Sequence, residues 1–96
     1  MHTVLLKFGA NKSMAAKFME GHNSWIAKGF SDSVFQCVGS LDVGGGFILV
    51  HGEETETLHR RVNEDPFVVH GVVTAEIHHI DIKRTVPNLD FLTADI

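Results

Sequence analysis

Ser33-Val34-Phe35-Gln36-Cys37-Val38 and Phe47-Ile48-Leu49-Val50-His51 are two short apolar runs, separated by Gly39-Ser40-Leu41-Asp42-Val43-Gly44-Gly45-Gly46. Both runs read as strands, the second fully buried because it is continuously apolar, and the glycines between them mark a loop. Two successive strands therefore occupy the middle of the chain. Working upstream, residues 3–8 form another β-type run closed by Gly9, and Asn11 or Ser13 can cap a helix from about Met14 to Lys28 that stops at Gly29. Downstream, Glu53 to Asn63 reads as a second helix, with Leu58 and Val62 on one face, ended by Asp65-Pro66. Val72 to Ile82 is a last strand, and Arg84 to Ile96 is a tail broken by Pro87. The order is β-α-β-β-α-β, the split pattern of ferredoxin-like α+β folds with a four-stranded antiparallel sheet. Two helices on one face leave the other bare, which predicts a homodimer packed sheet to sheet.

The 96 residues suit a single domain, 44% hydrophobic and 21% charged, with a formal net charge of −4. The eight Lys and Arg residues are scattered, which argues against nucleic acid as a partner. His59-Arg60-Arg61 reads as the solvated face of the second helix. No run approaches the roughly 18 apolar residues of a membrane span. A lone cysteine, Cys37, cannot form an internal disulfide and is expected to be a small buried hydrophobe; nothing implies an oxidising compartment, and a cytoplasmic location is the default expectation.

At about 100° per residue, Met14, Phe18 and Trp25 flank one side of the first helix's apolar arc and Met19 and Ile26 the other. His22 falls between them. A titratable group there is costly without a partner. It is either a core histidine bonded to a backbone carbonyl or a group tuned for proton transfer near neutral pH. Asp65, held by Pro66, offers a carboxylate that either caps the turn after it or orients His22 as in a general-base pair.

The remaining candidates carry weaker signals. Seven histidines invite a metal reading, but His78 and His79 are adjacent in a strand and point to opposite faces. No His-x-x-x-His or cysteine pair is present, so no metal is expected. Gly44-Gly45-Gly46 precedes a strand rather than a helix, which makes it a hairpin connection and not a phosphate cradle. Ser40 offers a hydroxyl near a pocket mouth.

His22-x-x-Trp25, Gly29-Phe30, Gly39-x-Leu41 and Glu64-Asp65-Pro66-Phe67-x-x-x-Gly71-Val72 together resemble the YCII family of YciI-like proteins across nearly the whole chain. The resemblance implies a ferredoxin-like fold, homodimers of the dimeric α+β barrel kind, and an active site at His22 and Asp65. One branch of the family is similar to a dehydrochlorinase acting on a chlorinated hydroxyhydroquinone. The family's usual Gly-Pro after the second strand is here Gly39-Ser40, so pocket shape does not carry over.

The expected function is a small cofactor-free enzyme of lyase or isomerase type. His22 moves a proton on a small cyclic or aromatic substrate, Asp65 holds the imidazole, and Ser40 and Trp25 contact the substrate. The alternative is a non-catalytic dimeric module that binds a small molecule in the same place. Phe91, Leu92 and Ile96 of the tail are expected to cover the partner subunit or the pocket.

Overall fold

A computed structural model describes residues 1–94; Ile96 lies outside the described residues. The elements run β1 (His2–Phe8), a 3-10 turn (Lys12–Met14), α1 (Ala15–Ser31), β2 (Phe35–Ser40), β3 (Gly46–Val50), α2 (Thr55–Val62), α3 (Pro66–Val69), β4 (Val73–His79) and a second 3-10 segment (Pro87–Thr93). The sheet is four-stranded and antiparallel, ordered β2-β3-β1-β4, which is the ferredoxin-like arrangement read from the element order.

Register decides which side chains meet the helices. Val4 pairs with Ile48 on one side and Ile77 on the other, and Leu6 pairs with Gly46 and Ala75. With a side-chain period of two, Val4, Leu6, Ile48 and Val50 face the helices and are buried. They join Leu58, Val62, Phe67 and Val72 in the core, at about 25 cal/mol for each Å² of apolar surface removed from water. The opposite face carries Leu5, Phe47 and Leu49, with Lys7, Glu76 and His78 beside them. Cys37 pairs with Leu49 on this outer face and is exposed, so the buried position expected for it is corrected.

The first helix is longer than its glycine suggested. Gly29 is buried inside α1, and a Cβ there would lie 2.1 Å from the Phe35 ring. The glycine thus serves close helix-to-sheet approach rather than termination. The helix ends at Ser31 with Asp32 as its C-cap, and Ser33 just beyond takes a left-handed φ of 61°. Ser33 N–H donates to the Phe30 carbonyl and Val34 N–H to the Gly29 carbonyl, a Schellman motif that satisfies two carbonyls of the last turn. Ser33 and Val34 therefore belong to the helix exit, and β2 starts two residues later than its composition implied. Asn11 makes no side-chain cap bond; its amide donates to the His70 carbonyl instead.

Arg61 is also placed differently from its neighbours His59 and Arg60, which are exposed. Its guanidinium makes paired bonds to Glu53 (Nε to Oε1 2.9 Å, Nη2 to Oε2 3.0 Å) and reaches Asp32 Oδ2 at 3.0 Å. The solvated-face reading holds for two of these three residues and fails for Arg61, because Glu53, just before α2, is buried and needs a counter-ion. In the tail, Leu92 is buried and the Phe91 ring sits edge-on to His51. No helix among the described residues is long and apolar enough to cross a membrane.

Candidate active site

α2 ends at Val62, capped by Asn63, and Asp65 opens α3. Its side chain accepts the Phe67 N–H at 3.0 Å and Pro66 occupies the first helical position, an N-cap whose residue types suit the one-turn helix that follows. The same oxygen, Oδ1, lies 2.8 Å from His22 Nδ1. Capping and pairing with His22 are thus not alternatives; one carboxylate oxygen does both. Asp65 is fully buried, and its Oδ2 has no hydrogen-bond partner among the described residues.

The approach of α1 to α3 has a local cause that the sequence motifs did not announce. A Cβ at Gly21 would lie 3.0 Å from Pro66 Cγ, so the glycine before His22 lets the helix settle on the proline ring. Phe67 then lies face to face with His22, ring centroids 4.0 Å apart and planes inclined by 4°. The imidazole is held at one nitrogen by Asp65 and across one face by Phe67.

A carboxylate only accepts hydrogen bonds, so Nδ1 carries the proton and Nε2 carries the lone pair when the ring is neutral. Nε2 has no protein partner among the described residues and is not one of the sealed-off buried atoms. His22 also lines a cleft of about 520 Å³ between α1 and the sheet. Ala15, Met19, Asn23 and Ile26 extend α1's side of this cleft, while Val38 and Ser40 of β2 form the far wall. Ser40 therefore stands at the cleft as its position after Gly39 suggested.

Trp25 is placed elsewhere. It is buried, packs edge-on against Phe35, and donates its indole N–H to the Arg61 carbonyl at 2.9 Å. At 280° from Ala15 on the helical wheel it faces the core rather than the cleft, and it is not among the lining residues. Asn23 and Phe67, which do line the cleft, carried no motif signal as ligand contacts beyond their neighbourhood to His22 and Asp65. Among the described residues no three His, Cys, Asp or Glu side chains are grouped to hold a metal ion.

Away from the cleft, three ion-paired groups have shifted titration. Hydrogen bonds first from Lys28 and then from Arg61 hold the Asp32 carboxyl below the usual carboxylate range. Lys7, and after it His78, do the same for Glu76 on the outer sheet face. The Arg61 guanidinium, bonded to Glu53 and Asp32, is raised still further above its ordinary value.

No protein-family model matches the chain, and no curated protein does. A solved structure does match: 5-chloro-2-hydroxyhydroquinone dehydrochlorinase from Burkholderia phenoliruptrix AC1100, in complex with 2,5-dihydroxybenzoquinone. The two superpose with a TM-score of 0.67 over 83% of this chain and 93% of that one, at 15% sequence identity. The chain shares the fold of that dehydrochlorinase. At such low identity the likeness speaks for architecture alone.

Proposed function

We propose that this chain is a small YCII-type enzyme that catalyses proton transfer, as a lyase or isomerase, on a small cyclic or aromatic substrate. The observation that carries the reading is the 2.8 Å bond between His22 Nδ1 and Asp65 Oδ1, with the opposite ring nitrogen left for the cleft. In this reading Nε2 of His22 removes a proton from a substrate carbon or hydroxyl. The electron pair released either expels a leaving group such as chloride or shifts to admit a proton at a neighbouring carbon. Asp65 fixes the tautomer and opposes the positive charge the imidazole gains.

The YCII assignment draws support from the Asp65-Pro66-Phe67 turn, since it is the element that brings the carboxylate to His22. The shared fold with a dehydrochlorinase makes elimination of chloride the first reaction to try. A sheet-to-sheet homodimer completes the proposal, with Leu5, Phe47 and Leu49 at the centre of the uncovered face. A cytoplasmic setting suits the free thiol of Cys37.

The test is turnover of a panel of chlorinated hydroxyhydroquinones, hydroxylated aromatics and lactones by the wild-type protein and by His22→Gln. Product formed by the wild type and lost in the variant supports proton transfer. Ligand-induced thermal stabilisation with no product from any compound means a binding module instead.

A further inference from the structure

The cleft lining combines apolar side chains with three polar ones, His22, Asn23 and Ser40, and carries no Lys, Arg, Asp or Glu among the described residues. The ionisable group directly behind it is Asp65, a buried carboxylate bonded to His22. Lys12 Nζ lies 4.4 Å from the centroid of the Phe8 ring, and Phe8 lines the cleft, but Lys12 itself does not. His22 is the one lining side chain that can become cationic, and any charge it gains already faces the Asp65 carboxylate 2.8 Å away, so the lining holds no unpaired positive charge for an anion.

Asn23 and Ser40 differ from the other polar side chains around the site, because neither makes a side-chain hydrogen bond to any described residue. Asn23 follows His22 on α1, and Ser40 stands across the cleft at the end of β2. Between them they offer two amide donors, an amide acceptor and a hydroxyl, a set that matches neutral hydroxyl or carbonyl oxygens. Phe67 covers one face of the His22 ring, and Nε2 is the ring nitrogen left without a protein partner among the described residues. A volume of about 520 Å³ fits one small ring compound.

We infer that the cleft selects an uncharged ring substrate whose oxygens are held by Asn23 and Ser40, and that it rejects carboxylates and phosphates of the same size. Stripping the water from an anion there gains no compensating charge, which makes entry costly. This rests on the proposal that the cleft is the catalytic site, and it adds the substrate's charge and two residues that recognise it.

The matched probes are hydroquinone and 2,5-dihydroxybenzoate, which share the ring and differ by one ionised carboxylate. Titration calorimetry of the whole chain at neutral pH, with amide NMR shifts to locate binding, should give hydroquinone at least about tenfold tighter binding at His22, Asn23 and Ser40. Asn23→Lys places an ammonium in the exposed part of the cleft and should reverse the order; its circular dichroism must match wild type. Equal or tighter binding of the acid by the wild type overturns the inference. So does binding of neither compound at about 20 mM, or binding of hydroquinone elsewhere. The two proposals fail separately. If hydroquinone is preferred but no turnover depends on His22, proton transfer falls and the charge selection stands. If turnover depends on His22 while the acid is the better ligand, the reverse holds.

Discussion

Phe67 meets His22 twice: its ring stacks on the imidazole at 4.0 Å, and its backbone N–H shares with His22 Nδ1 the same oxygen of Asp65. One short turn therefore sets the height, the plane and the tautomer of the imidazole. The arrangement explains why Asp65, Pro66 and Phe67 occur together: a cap, a fixed φ and a flat surface are each needed within three residues.

Asp65→Asn and Asp65→Ala should separate charge from structure. Asparagine can still accept the Phe67 N–H through its carbonyl oxygen, so the fold survives while turnover falls. Alanine leaves that N–H and His22 Nδ1 without their acceptor and should cost about 2 kcal/mol or more. Chemical unfolding of both variants beside their turnover checks this. Equal loss of stability in the two would deny Asp65 its cap.

Gly29→Ala tests the reason α1 continues past its glycine. Alanine favours a helix interior by about 1 kcal/mol, but the added Cβ meets the Phe35 ring at 2.1 Å. Overpacking should win and lower stability by about 1–3 kcal/mol, and Phe35→Leu in the same chain should recover part of the loss. A melting temperature at or above wild type for Gly29→Ala contradicts the packing argument.

These residues also show what was legible in the sequence. The order of the strands and the two longer helices and the sheet topology were, because strand runs, loops and helix faces differ in period and each was written in several residues at once, whereas the one-turn α3 was not. The end of α1 was not, since a glycine that permits close packing and one that permits a left-handed cap look identical in a single sequence. Here Ser33 took the left-handed position instead. His22 and Asp65 stood out as polar groups where burial is costly, but the distance between them depends on Gly21 meeting Pro66, a contact across the fold. Arg61 and Cys37 were misread for a similar reason: burial on a half-covered helix or sheet depends on which neighbours arrive.

Arg61→Ala should cost about 3–5 kcal/mol, because it leaves Glu53 buried without its counter-ion. Equilibrium unfolding measures it, and a loss below about 1 kcal/mol would reduce the cluster to a surface pair.

Acid should weaken the fold through Asp32 and Glu76. Both are held below the ordinary carboxylate range, so each contributes stability above that range and loses it as pH falls through its lowered folded value. Melting temperature should therefore decline from about pH 4 downward, and Asp32→Asn should flatten part of that decline. Parallel curves for the two proteins would show that Asp32 contributes nothing to acid sensitivity.

If two sheets pack together, sedimentation should give a dimer whose Cys37 thiol reacts slowly with a disulfide reagent. Leu49→Lys, on the outer face opposite Cys37, should yield a folded monomer with a fast-reacting thiol. A monomeric wild type with an equally reactive thiol contradicts the dimer.

The most direct measurement of the proposed chemistry is hydrogen–deuterium exchange into a ring substrate in deuterated water, followed by NMR. Proton transfer through Nε2 predicts enzyme-dependent exchange at a carbon-bound position, and His22→Gln should reduce its rate by about 100- to 10,000-fold while keeping the fold. Exchange at the same rate in wild type and His22→Gln would contradict the role given to His22.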